Sequence, residues 1–325
     1  NPDPETLAGI LDSVDPSRTM VNVISKSGTT AETMAQFMIL EDALRRGGGK
    51  NGLVFTTDPK AGVLRRLAGS GKSSVPIFPV PDGVGGRFSV LSPVGLLPAA
   101  FMGVDLKALL GGAASMDARL RASDPKRNPG LLLAAVLYMH IVHFRTPILV
   151  VMPYADALGP FGEWVAQLWG ESLGKRVDRR GLVVETGQTP VRAIGPMDQH
   201  SQVQLYREGP RDKLILFVRV EGFRRDLPMP DLHPKEDELA YLGGKKLSRL
   251  LLAEERATEM ALAEDGRPSV TVSVPRIDEA ALGALFQIFE YATIIVGELL
   301  NIDALNQPGV EHGKRLTYAL MGRRG

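Results

Sequence analysis

The stretch from Val21 to Thr33, with the sequence VNVISKSGTTAET, limits the possible folds of this chain more than any other. Its first residues form a β-branched, apolar run of the kind that lies buried in a parallel sheet. From Ala31 onward, apolar residues recur at spacings of three and four, which is the pattern of a helix with one buried face. The sequence therefore predicts a strand that leads directly into a helix.

Between this strand and this helix lies a hydroxyl-rich turn, SKSGTT, at residues 25–30. The first turn of a helix has free backbone N–H groups and the positive end of the helix dipole, which together attract anions. A single serine or threonine would be enough to cap the helix. The four hydroxyls and the lysine therefore favour a phosphate-binding loop over a simple helix cap.

Composition and charge narrow the class of protein. With 325 residues, the chain is long enough for two domains, and its 44% hydrophobic and 23% charged residues are typical of a soluble globular protein. A net charge of +1 provides no electrostatic footprint for nucleic acid or an acidic membrane, which favours a small-molecule ligand. The absence of cysteine excludes disulfides and thiolate catalysis, and it is compatible with a reducing cytoplasm. The most apolar run, residues 130–152, is interrupted by histidine, arginine and proline, so we interpret it as a buried helix and strand.

Strand and helix patterns alternate along both halves of the chain, which predicts an α/β fold with parallel, doubly wound sheets. In the first half the predicted strands are 19–24, 52–56 and 75–80, and the main helices are 31–46, 62–67 and 106–120. In the second half the predicted strands are 148–152, 183–186, 213–220 and 269–274. The main helices are 128–143, 161–175, 235–263 (with an interruption at Gly243-Gly244) and 279–300. The proline- and charge-rich segment 124–129 is the best candidate for a domain boundary.

Two local patterns resemble functional motifs but receive a structural interpretation. Gly71-Lys72-Ser73 looks like the end of a P-loop, yet Arg66 stands where the first glycine would be, and the segment precedes a strand. His140 and His143 lie three residues apart on an apolar helix, but no third ligand follows nearby, so we expect core or interface histidines.

Two further segments contain candidate site residues. Gly85 and Gly86 allow the backbone to approach a ligand closely, and Arg87 beside them can face an anion, although a flexible turn would also explain the pattern. Gln167 and Glu171 lie four residues apart on one helix face. A carboxylate in a largely apolar helix is costly unless it is exposed or functional, and these residues alone leave both explanations open.

Five segments together carry a family resemblance: SKSGTTAET (25–33), GGRFSVLSPVG (85–95), QLWGESLGK (167–175), DQHSQVQ (198–204) and QPGVEHGK (307–314). They resemble those of glucose-6-phosphate isomerases, occur in the order of that family and span almost the whole chain. The resemblance implies two sugar-isomerase (SIS) domains, each a parallel sheet flanked by helices. We expect a first SIS domain at 1–123, a second at 124–300 and a C-terminal helix with an active-site lysine at 301–325. Family members carry about one further domain's worth of chain upstream, including a glycine-serine loop that touches the sugar phosphate, so we expect the N-terminal part of the first domain to be missing.

The resemblance also implies a reaction and the residues that perform it. The reaction is the reversible isomerisation of glucose 6-phosphate and fructose 6-phosphate, through ring opening and a cis-enediol, in glycolysis and gluconeogenesis, with no cofactor and no metal. Glu171 would move a proton between C1 and C2, Arg87 would stabilise the enediolate, and His200 and Lys314 would assist ring opening. The implied substrate-binding residues are Ser25, Lys26 (chiefly through its backbone), Ser27, Thr30, Gly86, Gln167 and Gln307.

The resemblance finally implies an assembly and a location. In the family a neighbouring subunit contributes the histidine, which implies a homodimer with shared active sites, in the cytoplasm, without nucleic-acid or membrane partners. Two alternatives remain: a non-catalytic sugar-phosphate-binding SIS protein, and an isomerase that also accepts mannose 6-phosphate. A sensor would keep residues 25–30 but would have no reason to keep Glu171, Arg87, His200 and Lys314 in matching contexts. The sequence also leaves open a fusion of the whole protein to an unrelated upstream domain.

Overall fold

The computed structural model describes residues 1–48, 52–70 and 75–323 of the protein, without the side chain of Ser70. The chain forms two compact units. The first comprises Asn1–Val104 together with Pro308–Gly325, and the second comprises Asp105–Gln307. Each unit contains a parallel sheet with helices, so the predicted α/β class is confirmed.

The first unit is built on a three-stranded parallel sheet in the order β1-β2-β3. Its elements before residue 105 are α1 (Pro4–Ser13), β1 (Val21–Ile24), α2 (Ala31–Arg46), β2 (Leu53–Thr57), α3 (Val63–Ser70), β3 (Ile77–Pro79) and α4 (Pro93–Phe101). The predicted strand-to-helix unit at the start of the chain is confirmed, and α2 has the bounds that the sequence predicts. The third strand is shorter than predicted.

The second unit is built on a four-stranded parallel sheet in the order β7-β4-β8-β9, with a separate antiparallel pair, β5 and β6. Its elements are α5 (Leu106–Leu120), α6 (Pro129–Val142), β4 (Ile148–Pro153), α7 (Gly159–Leu173), β5 (Lys175–Val177), β6 (Val183–Thr186), β7 (Thr189–Arg192), α8 (Val203–Glu208), β8 (Lys213–Gly222), α9 (Asp237–Ala240), α10 (Leu247–Glu264), β9 (Ser269–Arg276) and α11 (Glu279–Leu299). The last helix, α12 (Gly309–Leu320), belongs to the first unit.

Helices α5 and α11 pack closely against each other in the second unit. A Cβ atom at Gly283 would lie 1.9 Å from the carbonyl oxygen of Leu109, so only glycine allows this approach. Helix α11 is long and apolar enough to cross a membrane by length and composition alone. It packs against α5, α6 and α7, however, as a core helix of the unit does.

The packing of α5 on α11 places the segment 124–129 inside the second unit, where the sequence predicts a domain boundary. Asn128 is fully buried in this connection between α5 and α6. Its side chain accepts a hydrogen bond of 2.9 Å from the N–H of Leu131 and donates to the carbonyl oxygens of Leu120 (2.7 Å) and Ala122 (2.8 Å). The prolines and charged residues of this segment therefore belong to a tight connection between two helices. The compact units divide after Val104 instead, and the bounds 1–123, 124–300 and 301–325 stay predictions of the family's domain limits.

Each sheet has its own apolar core. In the first unit, Phe37 of α2 meets Phe55 of β2 edge to face, with 5.6 Å between the ring centroids, and Val23 and Leu64 pack beside them. In the second unit the core residues Val150, Met152, Ile215 and Phe217 are at most 1% exposed. These cores fix the strands, and the strands in turn place the loops at their carboxyl ends, where ligands of open α/β sheets bind.

In the second half of the chain, one predicted helix needs correction and strand β7 was missed. The helix predicted over 161–175 ends at Leu173, because Lys175 already pairs with Thr186 in the antiparallel ribbon. The predicted interruption of the helical segment 235–263 at Gly243-Gly244 is confirmed, since α9 ends before these glycines and α10 begins after them. The strand β7 was not predicted at all. The P-loop-like segment Gly71-Lys72-Ser73 lies outside the described residues.

Candidate active site

The loop 25–30 follows β1 and is held in place by the neighbouring strand β2. The N–H of Ser25 donates to the carbonyl oxygen of Thr56 (3.0 Å), and the buried hydroxyl of Thr57 donates to the carbonyl oxygen of Ser25 (2.7 Å). Gly28 has φ +63°, and a Cβ atom there would lie 3.0 Å from the backbone nitrogens of Val63 and Leu64. The loop thus has a fixed shape that requires glycine at its tip.

The hydroxyls of the loop are arranged around the start of α2. The Ser25 hydroxyl accepts from the N–H of Gly28 (3.1 Å) and lies 3.4 Å from the Thr30 hydroxyl. The Ser27 hydroxyl accepts from the hydroxyl of Thr29 (2.9 Å). Thr30 occupies the N-cap position, but its side chain makes no capping hydrogen bond. The arrangement therefore differs from a simple hydroxyl cap and leaves the helix start open to an anion.

The side chain of Lys26 turns toward a second loop. Its ammonium group donates a hydrogen bond of 2.9 Å to the carbonyl oxygen of Val84, 58 residues further along the chain. The ammonium group of Lys26 is thus engaged by this second loop, and the phosphate role of its backbone stays a prediction. This hydrogen bond brings the predicted phosphate loop and the segment that precedes Arg87 together.

Arg87 lies in a 3₁₀ turn, Gly86–Phe88, and is only 4% exposed. Its guanidinium carbon is 5.4 Å from the centroid of the Phe88 ring, a cation–π distance. The Ser89 hydroxyl donates to the carbonyl oxygen of Gly86 (2.6 Å) and closes the turn. The segment is thus an ordered turn, and the paired glycines lead into a buried guanidinium.

Lys314 lies on the exposed helix α12. Its ammonium group forms an ion pair of 2.7 Å with Glu311, one turn earlier. Four residues after Lys314, the hydroxyl of Tyr318 donates a hydrogen bond of 2.7 Å to the carbonyl oxygen of Thr29 in the loop 25–30. The first unit therefore brings this loop, the Arg87 segment and the Lys314 helix together.

In the second unit, Gln167 and Glu171 share one face of α7, as their spacing predicts. The amide nitrogen of Gln167 donates a hydrogen bond of 3.1 Å to Oε1 of Glu171, which is partly buried. The opposite face of the helix is buried through residues such as Val165, Leu168 and Trp169. The core thereby fixes the direction in which the Gln167–Glu171 pair points.

His200 follows the short 3₁₀ helix Met197–Gln199 and has an exposed side chain. Asp198 fixes the turn, since its carboxylate accepts from the N–H of Ile194 (2.7 Å) and the hydroxyl of Ser201 (2.6 Å). Burial alone would raise the pKa of Asp198, but these hydrogen bonds outweigh it and lower the pKa. The rigid turn holds the backbone of His200 in a defined place.

Tyr154 supports the same turn from the end of β4. Its hydroxyl donates to the side-chain oxygen of Gln199 (2.9 Å), directly before His200. The Tyr154 ring occupies the space beside Gly195, where a Cβ atom would lie 2.4 Å from it. Burial raises the pKa of Tyr154 to about 12, so the hydroxyl remains a donor at neutral pH.

The second unit thus brings Gln167 and Glu171 together and holds His200 on its own turn. Gln307, partly buried, is the last residue of this unit. Sequence reasoning missed several residues that shape these segments. Among them, only Tyr318 could have been found from its spacing, because it lies one helical turn after Lys314. These residues are Thr57, Tyr154, Lys175 and Tyr318.

Comparison with known proteins agrees with these observations. The phosphoglucose isomerase family model matches residues 1–323. A glucose-6-phosphate isomerase of Carboxydothermus hydrogenoformans is 47% identical in an alignment of 328 positions, which covers all of this chain and 70% of that relative.

Two solved structures are also similar over nearly the whole chain. The hypothetical protein TT0462 of Thermus thermophilus superimposes with a TM-score of 0.91 at 42% identity, covering 98% of this chain and 75% of that one. A glucose-6-phosphate isomerase of Chlamydia trachomatis superimposes with a TM-score of 0.87 at 25% identity, covering 99% of this chain and 63% of that one. The chain belongs to the phosphoglucose isomerase family.

Proposed function

We propose that this protein interconverts glucose 6-phosphate and fructose 6-phosphate through ring opening and a cis-enediol intermediate, the reaction of its family, which serves glycolysis and gluconeogenesis. The loop 25–30 carries this proposal most directly. It surrounds an uncapped helix start with hydroxyls and backbone N–H groups, an arrangement that suits a phosphate.

The phosphate holds the substrate in register for the chemistry. Ser25, Ser27 and Thr30 contact the phosphate through their hydroxyls, and Lys26 contacts it through its backbone N–H. A phosphate held at one end of a six-carbon chain fixes C1 and C2 relative to the protein, which lowers the entropic part of the barrier.

Glu171 moves the proton. Its carboxylate takes the proton from C2 of open-chain glucose 6-phosphate, the C–H electron pair forms the C1–C2 double bond, and the former carbonyl oxygen on C1 takes the negative charge. The proton of the C2 hydroxyl passes to the negatively charged oxygen on C1. Glu171 then returns its proton to C1, and C2 becomes the carbonyl carbon of fructose 6-phosphate. The hydrogen bond from Gln167 orients the carboxylate for both steps. The two transfers leave no net redox change, so this chemistry calls for no cofactor.

Arg87 stabilises the enediolate. Its guanidinium is buried and lies within a hydrogen-bonded turn, so its charge is in place before the negative charge develops. Charge that is fixed in advance stabilises a transition state without reorganisation at the moment of reaction. Gly86 beside it leaves room for the sugar, since outside its own turn no atom of the described residues lies within 4 Å of the place where its Cβ would be.

His200 and Lys314 assist ring opening. The ring opens when one group protonates the ring oxygen and another accepts the proton of the C1 hydroxyl. A histidine and a lysine supply a proton acceptor and a proton donor for these two oxygens. Gln307 lines the sugar pocket.

The active assembly is a homodimer in the cytoplasm, and each active site contains His200 of the neighbouring subunit. Two observations support a histidine that serves a second subunit: its side chain is exposed, while its backbone is held by the Asp198 turn. Isologous dimers form two equivalent sites in this way.

Isomerase activity is favoured over a role in sugar-phosphate binding alone. A sugar-phosphate-binding protein without activity needs the loop 25–30 but not the Gln167–Glu171 pair or the buried Arg87. An enzyme that also accepts mannose 6-phosphate would use the same groups, so only substrate measurements separate it from a glucose-specific enzyme.

Fructose 6-phosphate incubated with the protein in D₂O tests the proposal, with NMR detection of products. We expect glucose 6-phosphate with deuterium at C2, because the proton on Glu171 exchanges with solvent between the two transfers. Binding of fructose 6-phosphate without product and without deuterium would instead favour the sensor. Formation of mannose 6-phosphate would favour the dual isomerase.

A further inference from the structure

Helix α12 is largely exposed and is hydrogen-bonded to the loop 25–30. Eleven of its twelve residues are exposed along the sequence from Gly309 to Leu320, and Tyr318 is the one that is partly buried. Its hydroxyl donates the hydrogen bond of 2.7 Å to the carbonyl oxygen of Thr29. Tyr318 is therefore the anchor of this helix on the loop 25–30.

The anchor and Lys314 lie on the same face of the helix, because residues four apart are neighbours on its surface. Lys314 pairs with Glu311 of the same helix, at side-chain exposures of 49% and 55%. Such an exposed pair adds little stability and does not connect the helix to the loop. The hydrogen bond of the Tyr318 hydroxyl, in contrast, joins the helix that carries Lys314 to the loop.

The hydrogen bond from Tyr318 reaches the loop at the peptide group that begins helix α2. The carbonyl of Thr29 and the N–H of Thr30 belong to one peptide group, and Thr30 is the N-cap residue of α2. Donation to the carbonyl polarises the peptide and strengthens the N–H as a donor. An anion bound to that N–H strengthens the carbonyl as an acceptor by the same mechanism, so the two interactions reinforce each other.

We propose that Tyr318 is a positioning residue that couples phosphate binding in the loop 25–30 to the placement of Lys314. With the phosphate in place, the Tyr318–Thr29 hydrogen bond tightens and the helix is held over the loop. Without it, the helix is held less firmly. The catalytic value of this coupling rests on the proposed role of Lys314, whereas the coupling itself is measured without turnover.

Hydrogen exchange of the α12 amides, followed by mass spectrometry with and without inorganic phosphate, tests the proposal. In the wild type we expect phosphate to slow exchange in 309–320. In Tyr318→Phe, which keeps the ring, we expect exchange without phosphate to be about 2- to 10-fold faster, the effect of one lost hydrogen bond. Phosphate should then slow exchange much less than in the wild type.

Two matched variants serve as controls. Tyr241→Phe removes the hydroxyl of an exposed tyrosine in the second unit and should leave the phosphate effect intact. Arg323→Ala removes the cation 4.4 Å from the Tyr318 ring centroid but keeps the hydroxyl, so the phosphate effect should persist. Because coupling is reciprocal, Tyr318→Phe should also lower the affinity for inorganic phosphate. The affinity should fall by the same factor as the phosphate-induced slowing of exchange.

Equal phosphate-linked slowing in Tyr318→Phe and wild type would overturn the proposal, as would the absence of slowing in the wild type. Measurements of isomerase activity distinguish a failure of the coupling from a failure of the proposed function. If Lys314→Ala retains full activity, Lys314 is not needed for ring opening, while the exchange result still decides the coupling. If both hold, Tyr318→Phe and Lys314→Ala should lower kcat non-additively.

Discussion

The ammonium group of Lys175 donates hydrogen bonds of 2.7 Å to the carbonyl oxygens of Glu171 and Ser172. A buried cation thus satisfies the last carbonyl groups of α7, where the helix dipole is negative. The same interaction holds the backbone of the residue that we propose as the catalytic base. The geometry of the base therefore depends on a residue outside the proposed chemistry.

We predict that Lys175→Met lowers both stability and kcat. Loss of hydrogen bonds from a charged group costs about 1.5–3 kcal/mol, and the final turn of α7 would lose its cap. Urea unfolding measures the first effect and steady-state kinetics the second. The neighbouring exposed Arg176→Met is the control and should change stability by less than about 0.5 kcal/mol. Equal effects of the two variants would show that the cap does not matter.

Glu171→Gln should lose at least about 3 kcal/mol of transition-state stabilisation, or roughly a hundredfold in kcat. The amide keeps the shape of the side chain but cannot take the proton, so affinity for a phosphorylated sugar acid should change little. Glu163→Gln on the same helix, an exposed residue paired with Arg192, is the matched control and should retain activity. Near-normal turnover of fructose 6-phosphate by Glu171→Gln would remove Glu171 as the base.

Replacing Ser25, Ser27 and Thr30 together with alanine should weaken the binding of phosphorylated ligands far more than the binding of unphosphorylated sugars. Each hydrogen bond to a charged phosphate contributes about 1.5–3 kcal/mol. Because Ser25 is buried and bonded to Gly28, the double variant of Ser27 and Thr30 is needed as well. Calorimetric titration measures both ligand types, and Ser13→Ala is an exposed control. Equal weakening of both ligand types would mean that the loop does not recognise phosphate.

Asp178 makes the second unit sensitive to acid. Burial would raise its pKa, but hydrogen bonds from the N–H of Leu182 (2.9 Å), from Arg180 and from Asn301 outweigh burial and lower the pKa to about 2. A carboxyl whose pKa is lower in the folded state stabilises the fold above its usual pKa near 3.8, and this stability is lost as the pH falls toward 2. Asp178→Asn should therefore lower the urea midpoint at pH 7.

The difference between Asp178→Asn and wild type should shrink between pH 4 and pH 2, because the wild-type carboxyl then becomes neutral too. Urea midpoints at several pH values measure this, with the exposed Asp156→Asn as control. A difference that stays constant down to pH 2 would show that the charge of Asp178 is not what stabilises the fold.

The sequence predicted those parts of the fold that depend on neighbouring residues. The strand, loop and helix at 21–46 follow from local periodicity and turn chemistry, and the structure has them there. Strand β7 escaped prediction because it is short and contains Pro190, which an edge strand tolerates but a strand pattern does not favour.

The contacts that organise the candidate site are less visible in the sequence. The partner of the Lys26 ammonium is a backbone carbonyl at Val84, and a carbonyl carries no residue identity. The partner of Thr57 is likewise the backbone of Ser25, which only the parallel pairing of β1 and β2 brings near. Family resemblance named the side chains that we propose for the chemistry, but the residues that position them required the structure.

The proposed dimer with shared active sites predicts that two inactive variants complement each other. His200→Ala and Glu171→Gln should each be nearly inactive alone. If each site combines Glu171 of one subunit with His200 of the other, a heterodimer of the two variants has one intact site and one site with both defects. Random re-association of equal amounts forms heterodimers as half of all dimers, so activity should return to about a quarter of the wild-type value.

Subunit exchange is verified by native mass spectrometry of differently tagged chains. A mixture that exchanges fully yet stays as inactive as its parents would place His200 in the active site of its own chain.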